Sequence, residues 1–210
     1  RCWRSAAADR SSRSQARRRR PWLRLFPSCS VIGCHMEPDS TAAPLSSTDT
    51  ASSEASAVIR HSLATLAYRA SKAVRGAPIE FAALRVAPSS RTPAEILAHM
   101  GDLMEWALTM AEGQTMWRDQ PPQSWDADVA RLFAGIQALD AFLARAAPLD
   151  RGVLFQLLQG PIADALTHTG QLTFLRRIAH APVRGESYQR ALIAAGQTGL
   201  EQPAPQREFD

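Results

Sequence analysis

The stretch "TPAEILAHMGDLMEWALTMAEG", Thr92 to Gly113, contains both ends of a helix and an apolar stripe between them. Thr92 is a natural N-cap, Pro93 suits the first turn, and Glu95 completes a capping box. The stripe residues, which alternate in steps of three and four, are Ile96, His99, Leu103, Trp106 and Met110. The pattern therefore predicts a helix that runs to about Glu112, before Gly113.

Three more segments carry stripes of the same helical spacing. They are 55–74, with Ile59, Leu63, Leu66 and Ala70; 126–146, with Val129, Leu132, Ile136, Leu139 and Leu143; and 160–180, with Asp164, His168, Gln171, Leu175 and Ile178. Residues 151–159 are predicted to form a short irregular or helical segment. Residues 188–195 are predicted to form a short fifth helix, and residues 201–210 a flexible tail. Four main helices with one core face each predict an all-α fold, a four-helix bundle with a short additional C-terminal helix over residues 57–200.

The composition is that of an ordinary globular protein, but the charge is unevenly distributed. Hydrophobic residues make up 45% and charged residues 21% of the 210 residues, and no apolar run is long enough for a membrane-spanning helix. Of the 24 basic and 20 acidic residues, nine arginines and one aspartate lie in residues 1–35, which leaves a net charge of −4 for the rest. We expect a cytoplasmic body that binds neither nucleic acid nor membrane.

Residues 1–56 show no sustained apolar period, and three interpretations of the Arg-rich residues 1–35 stay open. In the first, translation begins at Met36 and this segment is a non-native extension. In the second, "RRRRPWLRLF" and "VIGC" belong to a targeting signal, although charge and proline interrupt the apolar region that such a signal needs. In the third, the segment is a disordered basic arm that touches nucleic acid or membrane through its charge. Residues 37–56 are rich in Ser, Thr, Ala and Pro, and they predict disorder in all three cases.

Two predicted helices carry polar side chains on faces that should be buried. His99 lies on the stripe of the second helix, and Asp164 and His168 lie one turn apart on that of the fourth. An unpaired carboxylate inside an apolar bundle costs roughly several kcal/mol. A divalent cation bound by two imidazoles and one carboxylate would remove that cost and leave coordination positions open for water or substrate. The pattern thus predicts a metal site of His99, Asp164 and His168.

The same residues also fit a site without metal. Asp164 and His168 can form a hydrogen-bonded pair, and a carboxylate in the first turn of a helix is favoured by the helix dipole. Spacing alone leaves both interpretations open. Asp102, one turn after His99, is a candidate for orienting that histidine, and a solvated position is its alternative. Gln171 is a second candidate for supporting the site through a hydrogen bond.

Two segments of the chain resemble a known family. "RTPAEILAHMGDLMEWAL" and, later, "GPIADALTHTGQLTFLRRIAHAPV" are similar to the DinB-like family of damage-inducible, metal-binding four-helix bundles. That family places one histidine on its second helix and a pair spaced i, i+4 on a later helix, often followed by Gly-Gln. His99 fits the first position, and His168, with a Gly-Gln pair behind it, fits the last. The resemblance covers about residues 57–196, and Asp164 stands where the family usually has a histidine.

The resemblance implies one divalent metal, which would be zinc, nickel, manganese or iron. A carboxylate in place of a histidine shifts the preference toward harder ions such as manganese or iron(II). Some relatives are transferases or isomerases that use bacillithiol or mycothiol, and many have no known activity. The implied activity is a metal-dependent thiol transferase or hydrolase that acts on a small molecule, with a low-molecular-weight thiol as cosubstrate. The alternative is a non-enzymatic bundle that forms a homodimer or binds another partner, with Asp164 and His168 as a structural pair.

Overall fold

The computed structural model describes residues 47–209, most of which are helical. The main elements are α1 (Ser47–Val74), α2 (Pro93–Ala111), α3 (Trp125–Arg145), α4 (Arg151–Leu157), α5 (Ala163–Ile178), β1 (Gly185–Glu186) and β2 (Glu208–Phe209). A π-helical turn, Leu158–Ile162, joins α4 to α5, and 3₁₀ turns lie at Ile79–Ala83 and Tyr188–Arg190. The predicted all-α class is confirmed. The predictions for residues 1–46, including a start at Met36, fall outside the described residues.

The predicted start of α2 is confirmed in detail. Thr92 accepts a hydrogen bond on its side chain from the Glu95 amide at 3.2 Å, and the Glu95 carboxylate accepts one from the Thr92 amide at 2.7 Å. Pro93 occupies the first turn, where its missing N–H costs nothing. The helix ends at Ala111, and Gly113 follows with φ +77°, a conformation that glycine adopts readily. The start and the end of α2, which carries His99, are therefore set by local sequence.

One apolar core joins the long helices. Helix α2 packs along α3, α1 contacts both α3 and α5, and α2 also contacts α5. The fully buried large side chains of this core include Leu63, Leu66, Leu97, Met100, Met104, Leu132, Ile136, Leu139 and Leu154. The stripes predicted for α1 and α3 are confirmed, because all of their residues are buried. Within residues 47–209, no helix combines the length and the apolar character needed to cross a membrane.

The stripes predicted for α2 and α5 are displaced from the true centre of the core. The buried centre of α2 is formed by Leu97, Met100, Met104, Ala107 and Ala111. His99 and Trp106 lie on the flank of that row, and on α5 Gln171 and Ile178 are exposed. The error arises because α2 is apolar around most of its circumference, so two neighbouring rows fit the helical period equally well. The candidate site therefore lies at the rim of the core.

Two helix boundaries differ from prediction. Helix α1 begins at Ser47, so residues 47–56 are helical where disorder was predicted. Ser52 is buried and donates a hydrogen bond to the Leu149 carbonyl, a partner 97 residues away that local composition does not reveal. The second difference is at Pro161, which was expected to open a new helix. The wider π turn accommodates the proline ring, and the helical path continues from α4 into α5.

The C-terminal region also differs from prediction. A single 3₁₀ turn replaces the predicted fifth helix, and β2 pairs antiparallel with β1 where a flexible tail was expected. Tyr68 donates a hydrogen bond to the buried Glu186 carboxylate at 2.8 Å, and Lys72 donates to Glu186 at 2.7 Å and to Glu208 at 3.0 Å. These contacts fasten the tail to α1. They join residues more than 100 positions apart, so the local pattern could not predict them.

Candidate metal centre

The three residues predicted as ligands meet between α2 and α5. Asp164 Oδ2 lies 3.5 Å from His99 Nε2, and Asp164 Oδ1 lies 3.4 Å from His168 Nε2. One ligand atom can be chosen from each residue so that all three lie within 4.8 Å of one another. The one-turn spacing on α5 and the crossing of α2 over it produce this convergence. Two imidazoles and a carboxylate are a donor set that divalent transition metals accept.

His168 is oriented by its neighbour one turn further along α5. Its Nδ1 lies 2.8 Å from Gln171 Oε1, and the ring is 9% exposed. Because an amide oxygen only accepts, Nδ1 is the donor in this contact, and the other ring nitrogen, Nε2, faces Asp164. Gln171 thus makes the supporting contact proposed for it, and it does so from an exposed position. This arrangement prepares Nε2 of His168 as a metal ligand.

His99 is enclosed by aromatic rings. Its imidazole packs edge-on against His168, with ring centres 4.9 Å apart, and against Trp117 at 5.6 Å. Trp106 packs in turn against Trp117 at 5.7 Å. Burial lowers the pKa of His99, and the charges of Arg91 and His168 lower it further, while Asp164 opposes them. The neutral imidazole that metal binding requires is therefore favoured near neutral pH.

Asp164 is less buried than the sequence predicted. Its side chain is 47% exposed, so water solvates part of the carboxylate. The free-energy cost of desolvating an unpaired charge is therefore smaller than for a fully buried carboxylate. The burial argument for a metal was wrong on this point. Asp164 also follows a π turn within a continuous helical path, so it has no free helix N-terminus beside it. The geometric convergence of the ligands is the argument that remains.

Asp102 has neither of the roles predicted for it. It is 1% exposed, and its partner is Arg131, whose Nη1 donates to Asp102 Oδ1 at 2.7 Å. Its other oxygen accepts from the backbone amide of Gln120 at 3.3 Å. Gln120 also donates through its side chain to Glu105 at 2.9 Å. Asp102 therefore holds the loop between α2 and α3 against α2, and this loop carries Trp117 onto His99.

Sequence reasoning missed three residues around the site. Trp117 lies in a loop without periodicity, and Arg131 lies on α3, 29 residues from its partner Asp102. Arg91 directly precedes the N-cap of α2, where the sequence gives no sign that it faces the histidines. Only the proximity of Arg91 to His99 along the chain could have suggested an electrostatic link between them.

Three cavities border the cluster. One of about 560 Å³ is polar and includes His99, Arg91 and Asp119 in its lining. A second, of about 440 Å³, is mostly apolar and is bordered by His168. A third, of about 380 Å³, includes Asp164 in its lining. All three have the volumes of small-molecule sites, so the cluster is accessible to ligands of that size.

Comparison of the chain with protein-family models, with curated proteins and with solved structures found no match. The family resemblance of the two quoted segments and the function that it implies therefore remain proposals.

The lowered pKa of His99 predicts a pH effect on stability in the metal-free protein. The unfolded chain takes up a proton as the pH falls through about 6.5, whereas the folded chain resists protonation of His99. The free energy of unfolding should therefore decrease below this pH, by at most about 1.4 kcal/mol per pH unit from this group. Urea unfolding of the native protein and of His99→Gln between about pH 5 and pH 8 measures it. The variant should show a shallower decrease, and equal slopes would contradict the prediction.

Proposed function

We propose that this protein is a DinB-like four-helix bundle that binds one divalent metal through His99, Asp164 and His168. The activity that we propose is a metal-dependent thiol transfer or hydrolysis on a small molecule. The observation that carries the proposal is the convergence of three ligand atoms within 4.8 Å, from helices far apart in the sequence. The single core shared by α1, α2, α3 and α5 supports the bundle.

The separations within the cluster fit a metal site. Two ligands bound to a tetrahedral zinc ion lie about 3.3 Å apart, given bonds of about 2.0–2.1 Å. The carboxylate oxygens of Asp164 lie 3.5 Å and 3.4 Å from the Nε2 atoms of His99 and His168. A small adjustment would let all three ligands contact one ion. Zinc, nickel, manganese and iron accept this donor set, and the carboxylate favours the harder manganese and iron(II).

The residues around such a metal site would have different roles. His99 and His168 would supply neutral nitrogen ligands, and Asp164 would supply a negative charge from the half-exposed side. Trp117 packs against the His99 ring and covers part of it. A divalent ion at this position would lower the pKa of water or of a thiol at an open coordination position, which makes a nucleophile available near neutral pH.

A second function is favoured by the exposure of Asp164. A half-solvated carboxylate between two imidazoles can persist as a structural pair without metal, in a bundle that binds a partner or a second copy of itself. In that case, replacement of Asp164 and His168 together by leucine should leave the fold intact or stabilise it. Loss of folding in this double variant would argue against the structural pair.

Metal analysis of the full-length protein tests the first proposal. We expect close to one equivalent of bound metal, or uptake of Zn²⁺, Ni²⁺, Mn²⁺ or Fe²⁺ added to protein stripped with a chelator. At a free metal concentration of about 100 times Kd, binding should stabilise the fold by about 2.7 kcal/mol, measured by thermal unfolding. His168→Ala should abolish this stabilisation.

The matched control is His61→Ala, which removes an exposed histidine of α1 outside the cluster. This variant should bind metal and be stabilised like the native protein. If the native protein binds none of the four ions, or if His168→Ala is stabilised by them to the same extent, the metal proposal is wrong.

A further inference from the structure

Arg91 presents an unpaired positive charge beside the cluster. Its guanidinium is exposed and forms no hydrogen bond or ion pair with any other residue in the described part of the chain. Arg85, which lies nearby, is by contrast bound to the Glu95 carboxylate at 3.0 Å and to the Ser90 carbonyl. Arg91 lines both the polar and the apolar cavity that border the histidines. A free guanidinium in this position can bind an anionic group through two parallel hydrogen bonds.

The apolar cavity continues away from Arg91 as a groove between the loop before α2 and the face of α5. Its walls include Val86, which is 48% exposed, and Phe174, which is 63% exposed. Ile96 and Leu175 are buried beneath them. His168 and Gln171 border the same groove. A volume of about 440 Å³ with a largely apolar lining and few polar groups is typical of small-ligand sites.

We propose that this groove binds a small amphipathic carboxylate, with its anionic head at Arg91 and its apolar body against Val86 and Phe174. A monocarboxylate fits better than a phosphate because it carries a single negative charge, which one guanidinium neutralises, and no second free cation borders the groove among its described lining residues. The bound molecule would lie beside His168. The inference adds the class of substrate to the proposed function. It rests on that function only in taking His99, Asp164 and His168, which lie beside the groove, as metal ligands.

The anionic head and the apolar body of the ligand contribute independently to its binding affinity. A pair of probes can measure the two contributions. Hexanoate and its neutral analogue hexanamide share the apolar chain and differ in charge. We expect hexanoate to bind about tenfold more tightly than hexanamide, as a charge-assisted hydrogen bond would give. We also expect hexanoate to bind more tightly than butanoate, by up to about fourfold for each added methylene that the groove buries.

Titration calorimetry on the full-length, metal-free protein at about pH 8 is the test, because no metal is then present to bind the probe. Arg91→Gln should remove the preference for hexanoate over hexanamide and leave hexanamide binding unchanged. Arg145→Gln, which removes an exposed arginine outside the groove, is the matched control and should bind like the native protein. Phe174→Ala should reduce the increase in affinity from butanoate to hexanoate.

Three results would overturn the inference. They are no hexanoate binding at millimolar concentrations, equal affinity for hexanoate and hexanamide, and an Arg91→Gln variant that keeps the preference for hexanoate. Because these titrations use no metal, their outcome is independent of the metal analysis. A protein that binds hexanoate through Arg91 but takes up no metal would refute the proposed function alone, and the reverse result would refute the inference alone.

Discussion

Replacement of Arg131 by methionine should lower the free energy of unfolding by about 3–5 kcal/mol, because it leaves buried carboxylates without their cation. Arg131 Nη1 donates to Asp102 Oδ1 at 2.7 Å, and Arg131 Nε lies 3.7 Å from Asp128 Oδ1. The side chains of both aspartates are 1% exposed. Methionine retains much of the apolar stem of arginine. The loss in the free energy of unfolding therefore measures the removal of the charge rather than the creation of a large cavity.

Urea unfolding of Arg131→Met measures the effect. The control is the double variant Arg131→Met with Asp102→Asn, which removes one of the stranded charges and should recover part of the loss. Asp128 still lacks its cation in the double variant, so the recovery should not be complete, although the Gln123 amide continues to donate to Asp128 Oδ2 at 2.8 Å. A loss below about 1 kcal/mol in the single variant would contradict the buried network, since that is the range of exposed ion pairs.

The same network constrains α2 at Gly101. A Cβ built on Gly101 would lie 2.7 Å from Cζ of Arg131, so a side chain there would displace the guanidinium. The position of the Arg131 guanidinium against α2 therefore depends on a residue without a Cβ. This packing also keeps Gln120, and with it the loop that carries Trp117, close to α2.

Replacement of Arg176 by methionine is the second large effect, with an expected loss of about 3 kcal/mol in the free energy of unfolding. The guanidinium donates to the carbonyls of Ala73, Arg75 and Gly76 at the end of α1, at 3.1, 2.8 and 3.0 Å. It also donates to the Ala181 carbonyl at 2.8 Å. The last carbonyls of a helix have no partner within the helix, so Arg176 satisfies these groups, of which the carbonyl of the buried Ala73 would otherwise lose its hydrogen bond away from water.

The matched control is Arg177→Met, because Arg177 is the exposed neighbour on the same helix. Its replacement should change stability by no more than about 0.5 kcal/mol. Arg176→Lys should fall between the two, because an ammonium keeps the charge but cannot reach four carbonyls with the fixed fork of a guanidinium. Equal losses in Arg176→Met and Arg177→Met, measured by urea unfolding, would show that the carbonyl contacts contribute little.

Local signals predicted several elements correctly. The capping box at Thr92 and Glu95 placed the start of α2, because its hydrogen bonds join residues three positions apart. The stripes of α1 and α3 were correct because only one face of each helix is apolar. In α2 two adjacent rows are apolar, and the predicted stripe follows the one that is only partly buried: Ile96 and Leu103 lie in the core, whereas His99, Trp106 and Met110 lie at its rim. The continuation of the helix through Pro161 was missed because a π turn has no clear sequence signal.

The candidate site was predicted in part. His99, Asp164 and His168 were chosen from their spacing on two helices, and the structure brings their ligand atoms together. The predicted burial of Asp164 was wrong, since burial depends on neighbouring helices and loops. Asp102 was assigned to His99 because it lies one turn away, whereas its partner is Arg131 on another helix.

The sequence by itself determined the helical class, the start of α2 and the pairing of Asp164 with His168 on one face of α5. These features depend on residues within a few positions of one another, where helical geometry leaves little freedom. The tertiary structure alone decided that His99 meets this pair, that Arg131 neutralises Asp102, and that Arg91 borders a groove beside His168. Those contacts join residues from separate elements, and they arise only when the shared apolar core sets how the helices pack.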